Sequence, residues 1–338
     1  MVNIMFQHYN YKNVENVSIK ILQKTSEDGL NWDTTNTPKD IDAAIENYDL
    51  IAGTSFLWCR EALVDSLDYL FVDEAGQLSL IDTLAVSPAA KNLILLGDPQ
   101  QLKQPQQGVH PDGTEVSALE HILQDQQTIN KHQGIFLAKT FRMHPEICAF
   151  DSEMFYASKL SSVAGLENQR IEGNSNFAGS GLFLKEVVHS GNTSRSIEEV
   201  EVIEKIVREL CDGTKTWVDK DNKKNILTED HIRIIAPYNA QVHELSDRLP
   251  GMHIGTVDKF QGQEAPIVIF SMTTSTPEDA PRGMDFLYSP NRFNVAVSRA
   301  RAVFILVANS SLLEAECKSP AQIKLANAFC RYWEVAKV

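Results

Sequence analysis

No apolar run in this chain approaches the ~20 residues needed to cross a bilayer. The first residues, MVNIMFQHYNYKN, lack the basic start and apolar core of a secretory signal. Cysteine is sparse. The five present (Cys59, Cys148, Cys211, Cys317, Cys330) are scattered, odd in number and without a CxxC pair. That argues against a zinc or iron–sulfur site and for reduced thiols in a cytoplasm, most of them small core hydrophobes. Positive charge is scarce too: 31 Lys and Arg face 45 Asp and Glu, a net charge of −14. This counts against nucleic-acid binding through bulk positive charge, though not against a local basic channel. No internal repeat or low-complexity tract is present. What remains is ordinary globular composition, 43% hydrophobic and 22% charged, over 338 residues, enough for two domains with separate cores.

Apolar, β-rich runs recur at 49–54, 68–72, 92–97, 134–138, 181–188, 231–236, 252–257, 266–271 and 302–308. Helical periodicity lies between several of them, at 115–124, 145–156, 196–210, 239–249 and 320–335. Ser196 or Ser194 is placed to cap the long helix, with Glu198 and Glu199 in its first turn. Continuous apolar strands alternating with helices predict parallel sheets covered on both faces. The strands are too many for one sheet of usual size. Two α/β domains are therefore expected, residues 1–134 and 135–338, with the seam at the polar stretch 125–134. The Gly-, Asn- and Lys-rich segments 161–181 and 211–228 read as surface loops.

Five stretches carry residue types that strands and turns do not need. IGTVDKFQGQEAPIVIF (254–270) places Thr256, Gln261, Gly262, Gln263 and Glu264 between two β-branched runs, which suggests a ligand-facing loop on a rigid sheet. LDYLFVDEAGQ (67–77) sets Asp73 and Glu74 directly after a buried strand. Ligands of open parallel sheets bind at the carboxyl ends of strands. There one carboxylate can hold Mg²⁺ while the other positions or deprotonates a water; the plainer reading is a solvated Asp-Glu turn. NLILLGDPQQL (92–102) repeats the arrangement with Gln100 and Gln101, whose amides suit phosphate sensing; the alternative is a simple strand-exit turn. AKTFRMHPEI (138–147) carries Arg142 just before a helix opened by Pro145, and NRFNVAVSRARAVFIL (291–306) carries Arg292, Arg299 and Arg301. Arginine beside a buried strand needs a partner or an anion. Phosphate is favoured for Arg142 and Arg299, while Arg301 has an ion pair with an interdomain acid as its competing role.

Taken in order, VDEAGQ, GDPQQL, TFRMHP, APYNAQ, GTVDKFQGQE and NVAVSRAR resemble motifs II to VI of superfamily 1 helicases, nearest the branch that includes the nonsense-mediated-decay helicase. The resemblance covers roughly residues 49–310. The carboxy-terminal part also looks like bacterial proteins that fuse a RecB-like nuclease to such a helicase. The resemblance implies two RecA-like, P-loop-NTPase-type parallel-sheet domains, the first incomplete at its N-terminus, with ATP in a cleft and a single strand across the top. It implies Asp73 on Mg²⁺, Glu74 activating water, Gln101 on the γ-phosphate, and Arg142 and Arg299 as fingers. Phe141 matches a position beside the adenine, and Gln261, Gly262 and Glu264 match positions near the nucleotide. Thr54, Ser55, Tyr238 and Thr256 match contacts to the nucleic-acid backbone. The implied activity is ATP-driven 5′-to-3′ translocation on single strands, DNA favoured over RNA, by a monomer, with a nuclease domain in the same full-length protein as a further expectation.

One motif is missing. No GxxxxGK[ST] occurs, the loop whose N–H groups and Lys cradle the β- and γ-phosphates. The expectation is a fragment lacking the first strand and helix of its first RecA domain. The alternative is a non-catalytic nucleic-acid-binding or regulatory scaffold derived from a helicase.

Overall fold

The computed structural model describes residues 19–27, 29–102, 116–124 and 126–338. Asp28, Glu115 and Asp125, the N-terminal Asn-rich stretch and the residues from Lys103 onward in the GDPQQLKQP segment lie outside the described residues. The described chain divides into two compact units. One holds the residues up to Pro99 together with 116–124; the other holds Gln100–Leu102 and the residues from 126 onward.

The paired strands described in the first unit run parallel. Strands Ile21–Lys24, Asp33–Thr35 and Leu50–Ala52 form one sheet with Ile21–Lys24 central, in the register Ile21↔Leu50 and Leu22↔Asp33. Leu67–Val72 pairs with Ala90–Leu95, from Leu67↔Ala90 to Val72↔Leu95. Its helices start where local chemistry directs. Pro38–Ala44 has Pro at its first turn, Ser79 accepts from Asp82 N ahead of Leu80–Val86, and Ser117 and Glu120 make a reciprocal capping box for Ala118–Leu123. Leu22, Ile41, Leu57, Leu63, Leu70 and Val86 form its core. Coverage of both faces, expected from the apolar runs, is not seen for Leu67–Val72. Leu70 is buried, but Tyr69, Phe71 and Leu93 are exposed, because no described element covers that side.

The second unit is built on a five-stranded, all-parallel sheet. Its order is His253–Gly255, Ile232–Ile235, Ala265–Ser271, Ala300–Ala308, Gly181–Glu186. Every residue of Ala265–Ser271 is buried. Side chains alternate across a strand, and the two faces part accordingly. Val268, Phe270, Phe304 and Leu306 join a core with Phe150, Phe293, Phe329 and Tyr332, from helices Pro145–Phe155, Pro290–Val297 and Pro320–Val335. Ile267, Ile269, Val303 and Ile305 join the opposite core with Val200, Ile203, Ile206 and Leu245, from helices Ile197–Leu210 and Asn239–Arg248. Each such apolar side chain contributes ~1.5–3 kcal/mol on full burial, so the two-sided sheet is the rigid part of this unit. Tyr332 fastens the last helix by donating to Phe183 O at 2.7 Å.

Two local expectations are corrected. Residues 134–138 are not a strand: Ile135 and Leu137 are exposed, and pairing begins only at Lys139–Thr140 with Ser161–Ser162. The apolar run has no ladder partner there. The segments 161–181 and 211–228 are not merely loops. Arg170–Glu172, Thr216–Val218 and Lys224–Ile226 form an antiparallel three-stranded sheet with Trp217 opposite Ile171. A few buried apolar residues (Ile171, Phe177, Trp217, Leu227) anchor it, and the polar residues around them mask the pattern.

Candidate functional site

In the first unit, the strand ends hold the acidic pair. Glu74 N–H donates to Asp73 Oδ1 at 3.0 Å, and Gln77 Nε2 donates to Glu74 Oε2 at 3.1 Å. Glu74 adopts φ +53, a left-handed conformation uncommon for a residue with a side chain. The surrounding loops enforce it. Ala75 N–H donates to Leu96 O at 2.8 Å, and a Cβ on Gly76 would stand 2.7 Å from Asp98 O. Strain held this firmly at a strand end is a pointer to function. Asp73 is exposed and offers one carboxylate, the donor set of a Mg²⁺ held mainly by phosphates and water. Among the described residues no group of three or more His, Cys, Asp or Glu could hold a metal alone. Thr54 precedes the short helix Ser55–Trp58, and Phe56 beside them is 86% exposed.

In the second unit, three distant segments meet. Arg142 Nε donates to Glu264 Oε2 at 2.6 Å and its Nη1 donates to Ser298 O at 3.0 Å. Arg301 Nη1 lies 3.8 Å from Glu264 Oε1. Glu264 is thus an acid partner of Arg301 within the same unit. Arg299 is buried, with Nε on Val295 O and Nη2 on Ser298 Oγ. Arg142 and Arg299 therefore share Ser298. The Arg142–Glu264 pair is partly exposed, and such pairs contribute only ~0–1 kcal/mol; its effect is to aim a side chain rather than to hold the fold. Phe141 is 77% exposed. Gln100 and Gln101 are fastened through their carbonyls, which accept from Asn294 Nδ2 at 3.0 Å and Asn291 Nδ2 at 2.6 Å.

The strands of this unit separate two sets of residues. Glu264, Arg299 and Arg301 stand at the amino ends of Ala265–Ser271 and Ala300–Ala308. Thr256 follows Gly255, and Tyr238 follows Ile235, at the carboxyl ends of their strands. Six residue steps along Ala265–Ser271 span about 20 Å. Tyr238 is buried, and that burial pushes its phenol pKa up against the opposing Thr274 hydroxyl and Arg282 charge. Gln261 and Gly262 occupy the loop between the two edges, with Gly262 at φ +76.

Sequence reasoning missed several participants. Gln77 lies inside VDEAGQ but was given no role there, and Gln169 and Trp217 lie outside the recognised motifs. Phe286 packs 5.5 Å from Tyr238 and is flanked by the guanidinium groups of Arg282 and Arg292, at 3.9 and 4.5 Å. At the carboxyl ends, Glu199 is wholly buried and accepts from Ser271 Oγ at 2.5 Å and Thr273 N at 2.9 Å, with His189 Nε2 3.1 Å away. A Glu in a first helical turn reads as dipole complementation, so only its burial marks it out.

The fold is that of an α/β protein built on parallel sheets. Residues 114–311 match the AAA domain family, and residues 51–134 match the viral superfamily 1 RNA helicase core domain. The chain belongs to the AAA domain family, within the superfamily 1 helicases. It is 29% identical over 286 residues to helicase sen1 of Schizosaccharomyces pombe, covering 80% of this chain and 16% of that protein. It is 26% identical over 284 residues to the mouse 5′-3′ DNA helicase ZGRF1, covering 78% and 14%. Among solved structures, a PRRSV helicase aligns with TM-score 0.43 and 16% identity over 87% of this chain and 44% of that one. The chain thus spans less than a fifth of the length of these two curated relatives. The five cysteines are free thiols, and no described helix is long and apolar enough to cross a membrane.

Proposed function

We propose that this chain supplies most of the motor core of an ATP-dependent nucleic-acid helicase. The observation that carries this reading is that segments far apart in sequence meet here: Ser298 accepts from Arg142 and Arg299, and Glu264 faces Arg142 and Arg301. Arg142 spends Nε and one Nη1 hydrogen on Glu264 and Ser298. Its Nη2 edge has no acceptor among the described residues, which suits an incoming phosphate oxygen. Mg²⁺ bound with ATP would neutralise charge on the terminal phosphates. Asp73 is the residue to hold it, Glu74 to align the attacking water, Gln101 to meet the γ-phosphate, and Phe141 to pack against the base. Gln261 and Gly262 line the nucleotide loop, and Arg142 and Arg299 stabilise transition-state charge.

Single-stranded nucleic acid is the substrate in this reading, touched by Thr54 and Ser55 in one unit and Tyr238 and Thr256 in the other. DNA and 5′-to-3′ movement are favoured, in line with the name of the mouse relative. Because the sheet of the second unit carries arginines at one edge and Thr256 and Tyr238 at the other, its rigid strands are suited to pass a change at one edge to the other. The test joins this chain to the strand–GxxxxGK[ST]–helix segment of a relative and measures ATP turnover with and without single strands. Turnover that rises with DNA and disappears in Glu74→Gln supports the proposal. A joined protein that binds single strands but never hydrolyses ATP would show that the chain is a scaffold.

A further inference from the structure

The pose of Arg142 depends on side chains outside every motif. Gln169 is completely buried, and its single amide ties two segments together. Its Nε2 donates to Arg142 O at 2.8 Å and lies 3.2 Å from Arg301 O, while its Oε1 accepts from Arg301 Nε at 3.2 Å. His144 N–H also donates to Arg301 O, at 2.8 Å. The backbone around Arg142 is thereby locked to the first residues of Ala300–Ala308. The Arg301 guanidinium lies 4.8 Å over the ring of Trp217, a buried residue of the antiparallel sheet. With its Nε and its face both occupied, Arg301 presents Nη1 to Glu264 Oε1, and the other oxygen of that carboxylate takes Arg142 Nε. One carboxylate shared between two arginines keeps its orientation only while the second arginine is held.

We propose that Gln169, Arg301 and Trp217 are positioning residues for Arg142, holding its Nη2 edge outward to receive a phosphate; the proposal rests on the phosphate-facing role assigned to Arg142 above. A long, flexible side chain meeting an anion loses rotamer freedom, and fixing it beforehand removes that loss from the binding step. The antiparallel sheet adds no strand to the parallel core. Its contribution to the site is to bring Trp217 beneath Arg301.

The test follows the Nε–H signal of Arg142 by nitrogen-15 NMR in the 338-residue chain, assigned by its loss in Arg142→Lys. In the unsubstituted protein and in Trp217→Phe, which keeps an aromatic face, its hydrogen exchange is slow and agrees within about twofold, since either ring attracts the cation. In Trp217→Leu, Gln169→Leu and Arg301→Lys, exchange becomes about fivefold faster, as expected for releasing one partly exposed ion pair. Urea unfolding confirms that each variant is folded. Should the two leucine variants not fold, the contrast between Arg301→Lys and Trp217→Phe decides. Unchanged exchange in folded Arg301→Lys and Trp217→Leu would overturn the proposal, even where inorganic pyrophosphate still shifts the Arg142 signal. Pyrophosphate that leaves the signal unmoved in the unsubstituted protein would overturn the phosphate-facing role, and the proposal with it.

Discussion

Glu199 gives the sharpest test of the packing at the carboxyl ends of the central strands. Its carboxylate is completely buried and takes the Thr273 N–H at 2.9 Å and the Ser271 hydroxyl at 2.5 Å, with His189 Nε2 at 3.1 Å. Glu199→Leu removes all three contacts. Ser271 Oγ keeps Gln241 Nε2 at 3.0 Å and lies 3.3 Å from Thr273 Oγ1, so its loss is partial. The Thr273 N–H and the His189 ring are left without the acceptor. At ~1–3 kcal/mol for each stranded donor, the cost is about 2–6 kcal/mol. Removing a buried carboxylate relieves some desolvation, which brings the expectation to about 3 kcal/mol. Glu199→Gln behaves differently. Its amide oxygen can serve Ser271 and Thr273 while its NH₂ faces His189 Nε2. The imidazole accommodates this by carrying its hydrogen on Nδ1 and donating to Ser275 Oγ, 2.7 Å away. The cost is then about 1 kcal/mol. Urea unfolding monitored by circular dichroism measures both values. A leucine variant within about 1 kcal/mol of the parent, or a glutamine variant as damaging as leucine, would refute the idea that stranded donors set the cost.

The 338-residue chain alone is expected to hydrolyse ATP very weakly, because it has no GxxxxGK[ST] loop and loss of even one such phosphate donor commonly costs about 10²–10³ in rate. An ordinary motor rate stimulated by single strands would refute this. Burial lowers the His144 pKa below its ordinary 6.5, so the folded state takes up its proton later than the unfolded state as pH falls. Stability should therefore decline below that value. His144→Asn keeps an acceptor for Glu146 N–H and should flatten the decline in urea titrations across pH 5–7, a range set by the ordinary His value of about 6.5. Burial, helped by Glu229 and Asp212, pushes the Cys211 thiol up to about 11. Its alkylation by iodoacetamide should stay slow at pH 9, its ordinary value, and accelerate only toward 11. The stability that follows from the raised pKa is complete below 9 and is lost as pH rises through 11. A Cys211 alkylation rate already at its plateau by pH 9 would contradict the burial effect.

Much of this protein is legible in the linear chain because its signals are local. Ser196 caps its helix, and the strands at Ala265–Ser271 and Ala300–Ala308 lie where continuous β-branched runs predict buried parallel strands. Such elements depend on residues a few positions apart, and their apolar side chains have nowhere to go but a core. The order of the motifs is linear information as well, and it sufficed to indicate the superfamily.

Tertiary structure decided the rest. Gln169 is one polar residue in a polar stretch, and only its burial between two backbones separates it from its neighbours. Trp217 acquires its role from a guanidinium 84 positions away in the chain (217 to 301), through a pairing of short strands that local propensity does not signal. The partner of Arg301 was likewise open until Glu264 was seen beside it. Contacts of this kind join residues across long loops, and their energies depend on distance and exposure. Neither quantity is encoded in any window of the sequence, so the chain had to fold before these residues could be told from the surface around them.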